Sequence, residues 1–551
     1  MVPRSTVCQP PDASPGREVV VTKEKSLVSA DSDSGSSTVS LATPHSLATE
    51  AGMRAYRDGG NAIDAAIAAA AVLTVVYPHN VSLGGDLVAL IRTPNGVVRC
   101  VNASGWAAGG ADVVGLRAKH GRQLPATGVD TVTLPGGVRG WAALRRFGAR
   151  LAWAGCLEPA EHLARSGAPV ALSLAAHLGD AQNAALFAST DFAEVFRPEG
   201  RDLRAGDPLI QPALAETFAA LRQRGPDDFY DGSLAARTVA YLRSQGSAVT
   251  TADFERFQPE VVAPLSIDFD GLRVHSSPPN TQGFVLLRTL RAMAESGIRH
   301  PLGAGLAAFL RICLHGNMLR DKYLADPRYG GVDAPALVAG GLDQSAEFGG
   351  LPPGPSPIPR GDTVGIAAAD DDGYAVSLIQ SVFGAFGSGL VDPVTGVLFH
   401  NRGTGFSLDP ASPNVIAPRK RPAHTLTPVM TTRDGVLSHV LSTMGGQGQP
   451  QILGQVLLRA MGGATAEEAV SAARAIVGAQ VDGATAESVT IEQDLSERAK
   501  SALAAARVEP LVVPSHTDHM GHANVVFVDG DGTMAAASDP RSDGSAATDR
   551  Y

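Results

Sequence analysis

The sequence predicts an α+β protein built as a four-layer αββα sandwich, two stacked sheets covered by helices on both outer faces. Three observations predict it. The run AIDAAIAAAAVLTVV (62–76) has the length of a helix yet is apolar all round, so it reads as a central helix buried at close range. The stretch 140–330 is mostly helical by pattern. After residue 363 the pattern changes to short strand-like segments joined by turn residues, which read as antiparallel hairpins.

In chain order, residues 1–37 are polar and end in SADSDSGSS, the composition of a disordered tail. Residues 38–43 (TVSLAT) alternate as a strand. PHSLATEAGMRAYRDGG (44–60) reads as a helix stopped by Gly59 and Gly60. Asn61 is placed to cap the next helix, with Asp64 in its first turn where the helix dipole favours an acid. SLGGDLVALIRTPNGVVRCVNA (82–103) reads as a hairpin turned at Pro94-Asn95-Gly96. A strand unit is expected around 264–275. GGLPPGPSPIPR (349–360) is too rich in Pro and Gly to pack as an element, so 349–362 is expected to be a flexible leader. A strand over 363–369, a DDDG turn at 370–373 and a strand over 374–381 follow. Further strands are expected at 395–400, 427–432, 436–443, 487–492 and 523–529, and a helix at 450–462.

Composition excludes several classes. Charged residues are 18% and apolar ones 44%, which is globular rather than disordered. With a net charge of −10 and no Lys/Arg stripe to offset it, a phosphate-tracking nucleic-acid surface is not expected. Cys8, Cys100, Cys156 and Cys313 are widely spaced and form no CxxC pair, so neither a disulfide framework nor a zinc knuckle is expected. The first twenty residues lack an apolar signal region, and no run of about 18 apolar residues occurs, so a cytoplasmic protein with no membrane span is expected. His516, His519 and His522, with Asp518 among them, have an H-x-x-H-x-x-H spacing, but they sit between strands and read as structural. Gly84-Gly85-Asp86 lacks the following GKS/T of a phosphate loop. No metal and no cofactor is expected.

The residue that carries chemistry is Thr363. It opens an apolar strand directly after the leader. Cleavage between Asp362 and Thr363 would free its α-amine, and one residue would then hold both a hydroxyl nucleophile and a base to activate it. Read on its own, the same Thr is an ordinary strand opener beside a Pro-rich loop.

Several ordered blocks decide between the two. GGNAIDAAIAAAAVLTVVYPHNVSLGGD (59–86), TLPGGVRGWAAL (133–144), SSPPNTQGFVLL (276–287), GDTVGIAAADDDGYAVSLIQSVFGAFGSG (361–389), RPAHTLTPVM (421–430), MGGQGQPQ (444–451) and SDPRSDGSAA (538–547) resemble γ-glutamyltransferase-like proteins of the N-terminal nucleophile hydrolase superfamily. The likeness runs from about residue 40 to the end. It implies an αββα N-terminal nucleophile hydrolase sandwich formed by two autoproteolytic fragments, 38–362 with the leader and 363–551, which stay together and can dimerise further. It implies an acyl-enzyme mechanism in which Thr363 first cuts the chain and then attacks a small-molecule substrate.

The resemblance also assigns roles. Ser381, eighteen residues after Thr363, is the helper hydroxyl that bonds the nucleophile. Gly445 and Gly446 present backbone N–H groups to the tetrahedral oxyanion. His424 and Thr425 lie where the family commonly has two substrate-positioning serines, and a His there could donate to a carboxylate or titrate near neutral pH. Asn401 and Arg402 match a substrate-contacting loop, with Arg402 able to hold a carboxylate by two bonds. The departures concern the substrate. The family's carboxylate-gripping Arg falls on Ser104, its amine-gripping acid on Gly405, and the Asn after the helper hydroxyl on Phe383. An α-amino-acid head group would find no countercharges at those positions. Trp106 and Phe383 suggest a more apolar pocket wall. An amide substrate other than a γ-glutamyl compound is therefore expected. The alternatives are hydrolytic C–C cleavage beside a keto acid, as in relatives from antibiotic pathways that make alkylproline units, or an inactive binding homologue.

Overall fold

The computed structural model describes residues 37–340 and 362–551. The tail expected over 1–37 and the leader over 349–362 lie outside the described residues, apart from Ser37 and Asp362.

Two sheets form the centre. Their strands are β1 (Thr38–Thr43), β2 (Asp86–Arg92), β3 (Val98–Ala103), β4 (Glu260–Val262), β5 (Leu265–Phe269), β6 (Leu272–Ser276), β7 (Asp362–Asp370), β8 (Ala375–Phe383), β9 (Val429–Arg433), β10 (Val436–Thr443), β11 (Ala523–Val528), β12 (Met534–Ser538) and β13 (Ser545–Arg550). The first sheet has the order β13-β1-β7-β8-β2-β3-β4 and the second β12-β11-β10-β9-β6-β5. Three apolar slabs separate four layers. An inner slab between the sheets holds Val88, Leu90, Ile379, Met430, Val440 and Val526. One outer slab lies under helices α1 (Ser46–Arg57), α2 (Ala62–Val76) and α3 (Trp153–Ser166), and the other under α4 (Gly283–Glu295), α5 (Leu306–Tyr323) and α6 (Gln449–Met461). The αββα sandwich expected from the pattern is thus the fold. Every residue of α2 is buried, between β7 and β8 on one side and α3 on the other. Its start is fixed by a capping box: the Asn61 side chain accepts from the backbone of Asp64, whose carboxylate accepts from Asn61 N–H.

Strand alternation decides which layer each residue serves. On β7, Val364, Ile366 and Ala368 enter the helix-side core, whereas Ala367 and Ala369 enter the inner slab. On β8, Val376 and Leu378 face the helices, Ala375 and Ile379 the second sheet; on β2, Leu87 and Ala89 face the helices, Val88 and Leu90 the second sheet. Thr363, Ser381 and Asp86 share the inward parity.

The sheets approach most closely beside this trio. A Cβ on Gly365 would lie 2.7 Å from Thr443 N, so only a residue without a side chain fits there. Ser377, the partner of Ala367, donates to Leu441 O at 2.7 Å. With 367 against 441 and 365 against 443, β7 and β10 pass antiparallel.

Three elements differ from expectation. Residues 395–400 form no strand; Leu398 and Phe399 make only single bridges, because a turn closed by Gly396 N–H to Asp392 O curls the chain just before them. Strands β12 and β13 were not legible in the pattern. β13 reads SAATDR and is half-exposed to exposed throughout, so its edge position is set by pairing with β1 rather than by an apolar face. Among the described residues, no helix is long and apolar enough to cross a membrane, and Cys100, Cys156 and Cys313 are free and buried.

Candidate active site

Register places three of the inward residues in one row across the first sheet: Thr363 opposite Ser381, and Ser381 opposite Asp86. The hydroxyls of Thr363 and Ser381 are 3.0 Å apart. Ser381 Oγ donates to the carbonyl oxygen of Asp362 at 2.6 Å and accepts from Phe383 N–H at 2.9 Å. A hydroxyl has one proton to give, so with that proton on Asp362 O, Ser381 accepts the proton of Thr363. The result is a donor on the carbonyl that Thr363 would attack, and an acceptor for the attacking hydroxyl. Asn80 Nδ2 bonds the Thr363 carbonyl at 3.2 Å. Thr363 itself is buried.

Gly445 (φ 138°) and Gly446 (φ 51°) turn the chain after β10 into α6 through left-handed backbone that other residues adopt at a cost. Their carbonyls are tied back, Gly445 O to Gly448 N–H and Gly446 O to Gln282 Nε2 at 3.0 Å. Gln282 Nε2 also donates to Thr425 O at 2.8 Å, which joins the Gly-Gly turn to the 424–425 segment. From behind, Met444 N–H bonds His522 O, and Arg474 donates to the carbonyls of Met520 and Gly521. Arg474 is in turn paired with buried Asp539.

Arg402 is fully buried, and its guanidinium carbon lies 3.5 Å from the centroid of the Phe383 ring. A bulge between Ser381 and Phe383, with Phe383 at φ 80°, breaks the strand alternation at that ring. Arg402 Nη1 donates to Thr425 Oγ1 at 3.3 Å, while Nε and Nη2 have no hydrogen-bond partner among the described residues. A Cβ on Gly405 would lie 2.6 Å from Nη2, so the missing side chain at 405 is the space the guanidinium uses. Burial lowers the Arg402 pKa to about 9 and nearby Asp86 acts against it, so the group is a cation at neutral pH. Buried donors left without partners are costly.

Asp86 is the group beneath. It accepts from Gly105 N–H at 2.9 Å and lies 3.1 Å from His424 Nε2 and 3.7 Å from His400 Nδ1. Burial pushes its carboxyl up to about 7, against the pull of the Gly105 N–H and of Arg402. His424 does not titrate near neutral pH as its position suggested: burial, with Arg402 and His400 adding to it, holds its pKa well below the usual imidazole value. Leu426 N–H bonds its Nδ1 at 3.4 Å, so Nε2 carries the proton and donates to Asp86. His400 is likewise neutral, lowered to about 4 by burial. Its Nε2 lies 2.9 Å from Thr133 O. The Nδ1 lone pair, unpartnered, is turned to Asp86.

A cleft of about 780 Å³ opens beside the row, lined among others by Asp362, Gly384, Asn401, Met444, His177 and Asp518. Asn401 shapes its wall, accepting from Gly384 N–H and donating to Ala126 O. Trp106 is not among the residues lining the cleft; it packs edge-on against Phe257 with Arg328 over its face. Ser104 is buried in a network with Asn102 and Asn280. The histidines of the 516–522 segment do not converge: His516 reaches Ser471 O, whereas His522 is buried beside Tyr77. Asp86, His400, Asn80 and Gln282 escaped the sequence reading. Asp86 was visible in the Gly-Gly-Asp block but reads there as a failed phosphate loop.

Residues 48–549 match the family described as gamma-glutamyltranspeptidase. A glutathione hydrolase-like YwrD proenzyme of Bacillus subtilis is 34% identical over 517 residues, 92% of this chain and 97% of the relative. An oxamate amidohydrolase proenzyme of Klebsiella pneumoniae is 34% identical over 526 residues, again 92% of this chain and 97% of the relative. Among solved structures, the cephalosporin acylase of Bacillus halodurans superposes with a TM-score of 0.85 at 30% identity, covering 96% of this chain and 99% of that one.

Proposed function

Because the chain belongs to the gamma-glutamyltranspeptidase family, whose members of this kind are N-terminal nucleophile hydrolases and transferases, we propose that it is a proenzyme that cuts itself between Asp362 and Thr363 and then hydrolyses a small amide whose acyl group carries a carboxylate. In the cut, Thr363 Oγ attacks the Asp362 carbonyl carbon. The C–N bond breaks, leaving Asp362 as an ester on Oγ and Thr363 with a free amine, and water hydrolyses the ester. In turnover, Oγ attacks the substrate carbonyl, the amine takes the hydroxyl proton and passes it to the departing nitrogen, and Gly445 and Gly446 N–H groups meet the oxyanion. Water or an acceptor amine then takes the acyl group.

The topology supports the processing. Fragment 1–362 supplies β1, β2, β3 and β4 to the first sheet, and 363–551 supplies β7, β8 and β13 between and beside them. β1 is hydrogen-bonded to β13 on one side and β7 on the other, so the fragments cannot part without tearing a sheet.

The observation that carries the substrate reading is Arg402: a buried cation over the Phe383 ring, with two nitrogens unpartnered among the described residues. It offers a carboxylate the bidentate seat, while Ser104, Gly405 and Phe383 offer an ammonium nothing. The oxamate amidohydrolase among the relatives makes a short α-oxo acid amide the first compound to test. Ammonia release from oxamate is expected, with little turnover of a γ-glutamyl anilide; the reverse pattern would sink the substrate reading. Keto-acid C–C substrates belong in the same panel. A protein that stays one uncut chain and turns over nothing would be the inactive homologue.

A further inference from the structure

We propose that Asp86 is a positioning residue that makes capture of the substrate anion proton-coupled: it is the resident counter-ion of Arg402, and it takes up a proton when a substrate carboxylate arrives. The inference rests on Arg402 being the anion seat.

Geometry carries it. Asp86 is completely buried and lies one strand from Ser381 and two from Thr363, about 10 Å in all. The groups facing it come from every neighbouring segment. Gly105 and Gly136 give backbone N–H groups, and Ser381 lies beside it on β8. His400 and Arg402 come from the 400–405 segment, His424 from the segment before β9, and Tyr230 acts on it from the helical region. Arg421 acts on His424 and is itself paired with Asp326 and Glu260. Of these, Arg402 alone is a charged neighbour; both imidazoles are neutral and Tyr230 is held protonated by burial. Arg402 and Asp86 form no direct hydrogen bond or ion pair, and the guanidinium Nε and Nη2, unpartnered among the described residues, remain for another acceptor.

A second carboxylate at Arg402 would put two anions around one cation in a buried site. Like charges at that range raise each other's pKa. Asp86 already stands at about 7, so it is the member that protonates. The acceptor is ready: the lone pair of His400 Nδ1, 3.7 Å from Asp86 Oδ2, can receive the new O–H, while His424 continues to donate to the carboxyl. The sign follows. Below about pH 7 the proton is already present and the anion binds without further cost. Above it, each bound anion needs a proton from solvent, so affinity falls by up to about tenfold per pH unit until the pKa of the complex is reached.

The test uses the processed enzyme with oxamate as substrate and oxalate as probe. In the wild type, KM for oxamate is expected to rise about tenfold between pH 7 and 8.5, and calorimetry in two buffers of different ionisation enthalpy to show oxalate binding with uptake of a fraction of a proton at pH 7.5. In Asp86→Asn, which keeps an acceptor for Gly105 and His424, KM should be flat over that range. A flat wild-type KM, or the same slope in D86N, overturns the proposal. If D86N does not fold, the wild-type calorimetry decides, and binding without proton uptake overturns it. Arg402→Gln separates the two readings. If R402Q raises KM at least tenfold while D86N keeps the wild-type slope, Asp86 alone is wrong. If R402Q leaves KM unchanged, or neither anion binds, the Arg402 seat is wrong and the role of Asp86 falls with it.

Discussion

Ser381 stands directly across the strand pair from Thr363, their hydroxyl oxygens 3.0 Å apart, and its proton is committed to the carbonyl of Asp362. One side chain therefore touches both partners of the peptide bond whose cleavage would expose the nucleophile. Thr363→Ala should run on a denaturing gel as one chain of 56.7 kDa, where the wild type shows the two pieces 1–362 and 363–551. Thr363→Ser should still cut. Ser381→Ala keeps the nucleophile but loses the donor on Asp362 O, and its cut is expected to slow by roughly 10²-fold or more. Wild-type cleavage rates in S381A would show that the serine only pairs strands.

Arg402 and Gly405 form a second pair with a clear expectation. The guanidinium fills the space that a side chain at 405 would occupy. Gly405→Asp would crowd the guanidinium and neutralise it, so KM for a carboxylate-bearing amide is expected to rise by about 10–100-fold, the loss of one charge-assisted bond. Arg402→Lys should recover only part of the affinity lost in Arg402→Gln, because an ammonium cannot lie flat on Phe383 and hold two oxygens. Steady-state kinetics on the three variants checks both.

Gly365, two residues from Thr363 on β7, decides how near that strand stands to Ser442 and Thr443 of β10. A methyl there would meet Thr443 N and the backbone of Ser442. Gly365→Ala should therefore cost about 1–3 kcal/mol of stability and also lower kcat, since the sheets part next to the nucleophile. Denaturant unfolding read against kcat separates this from ordinary destabilisation: a loss of stability with unchanged kcat would show that the spacing of the two sheets at Gly365 does not govern turnover.

Asp370, at the far end of the same strand, accepts from Ala62 N–H at the start of α2 and from Tyr374 N–H. Burial raises its carboxyl from 3.8 to about 6. With the folded value raised, its contribution to stability is fully present below the unfolded value near 4 and is lost as pH rises through about 6. Asp370→Asn should remove that dependence. The wild-type melting temperature is expected to fall relative to D370N between pH 5 and pH 8, by on the order of 2 °C. A gap that stays constant with pH would contradict it.

Much of the fold was open to reading along the chain. The strand Thr38–Thr43, the cap at Asn61, the hairpin turned at Pro94-Asn95-Gly96 and the long strand beginning at Asp362 all follow from periodicity and turn chemistry, which act over a few residues. The misses were of another kind. β13 has no apolar face to announce it and exists because β1 offers it an edge. The segment 395–400 has strand-like residues but follows a tight turn.

The site divides in the same way. Thr363 and its Pro-rich leader, the Gly-Gly pair and the absence of the usual charges at Ser104, Gly405 and Phe383 are properties of the sequence itself, and they determined the family, the candidate nucleophile and the doubt about a glutamyl substrate. Only the tertiary structure decided where charge resides. Asp86, His400, Arg402 and His424 are separated by up to 338 positions. They meet because strand register carries Asp86 to Ser381 and because Gly405 leaves room for a guanidinium. Their protonation is likewise a tertiary property. Burial makes the histidine that looked titratable a fixed neutral donor and brings the overlooked aspartate to about 7. Local pattern encodes backbone preference; desolvation and long-range charge exist only once the sheets are stacked.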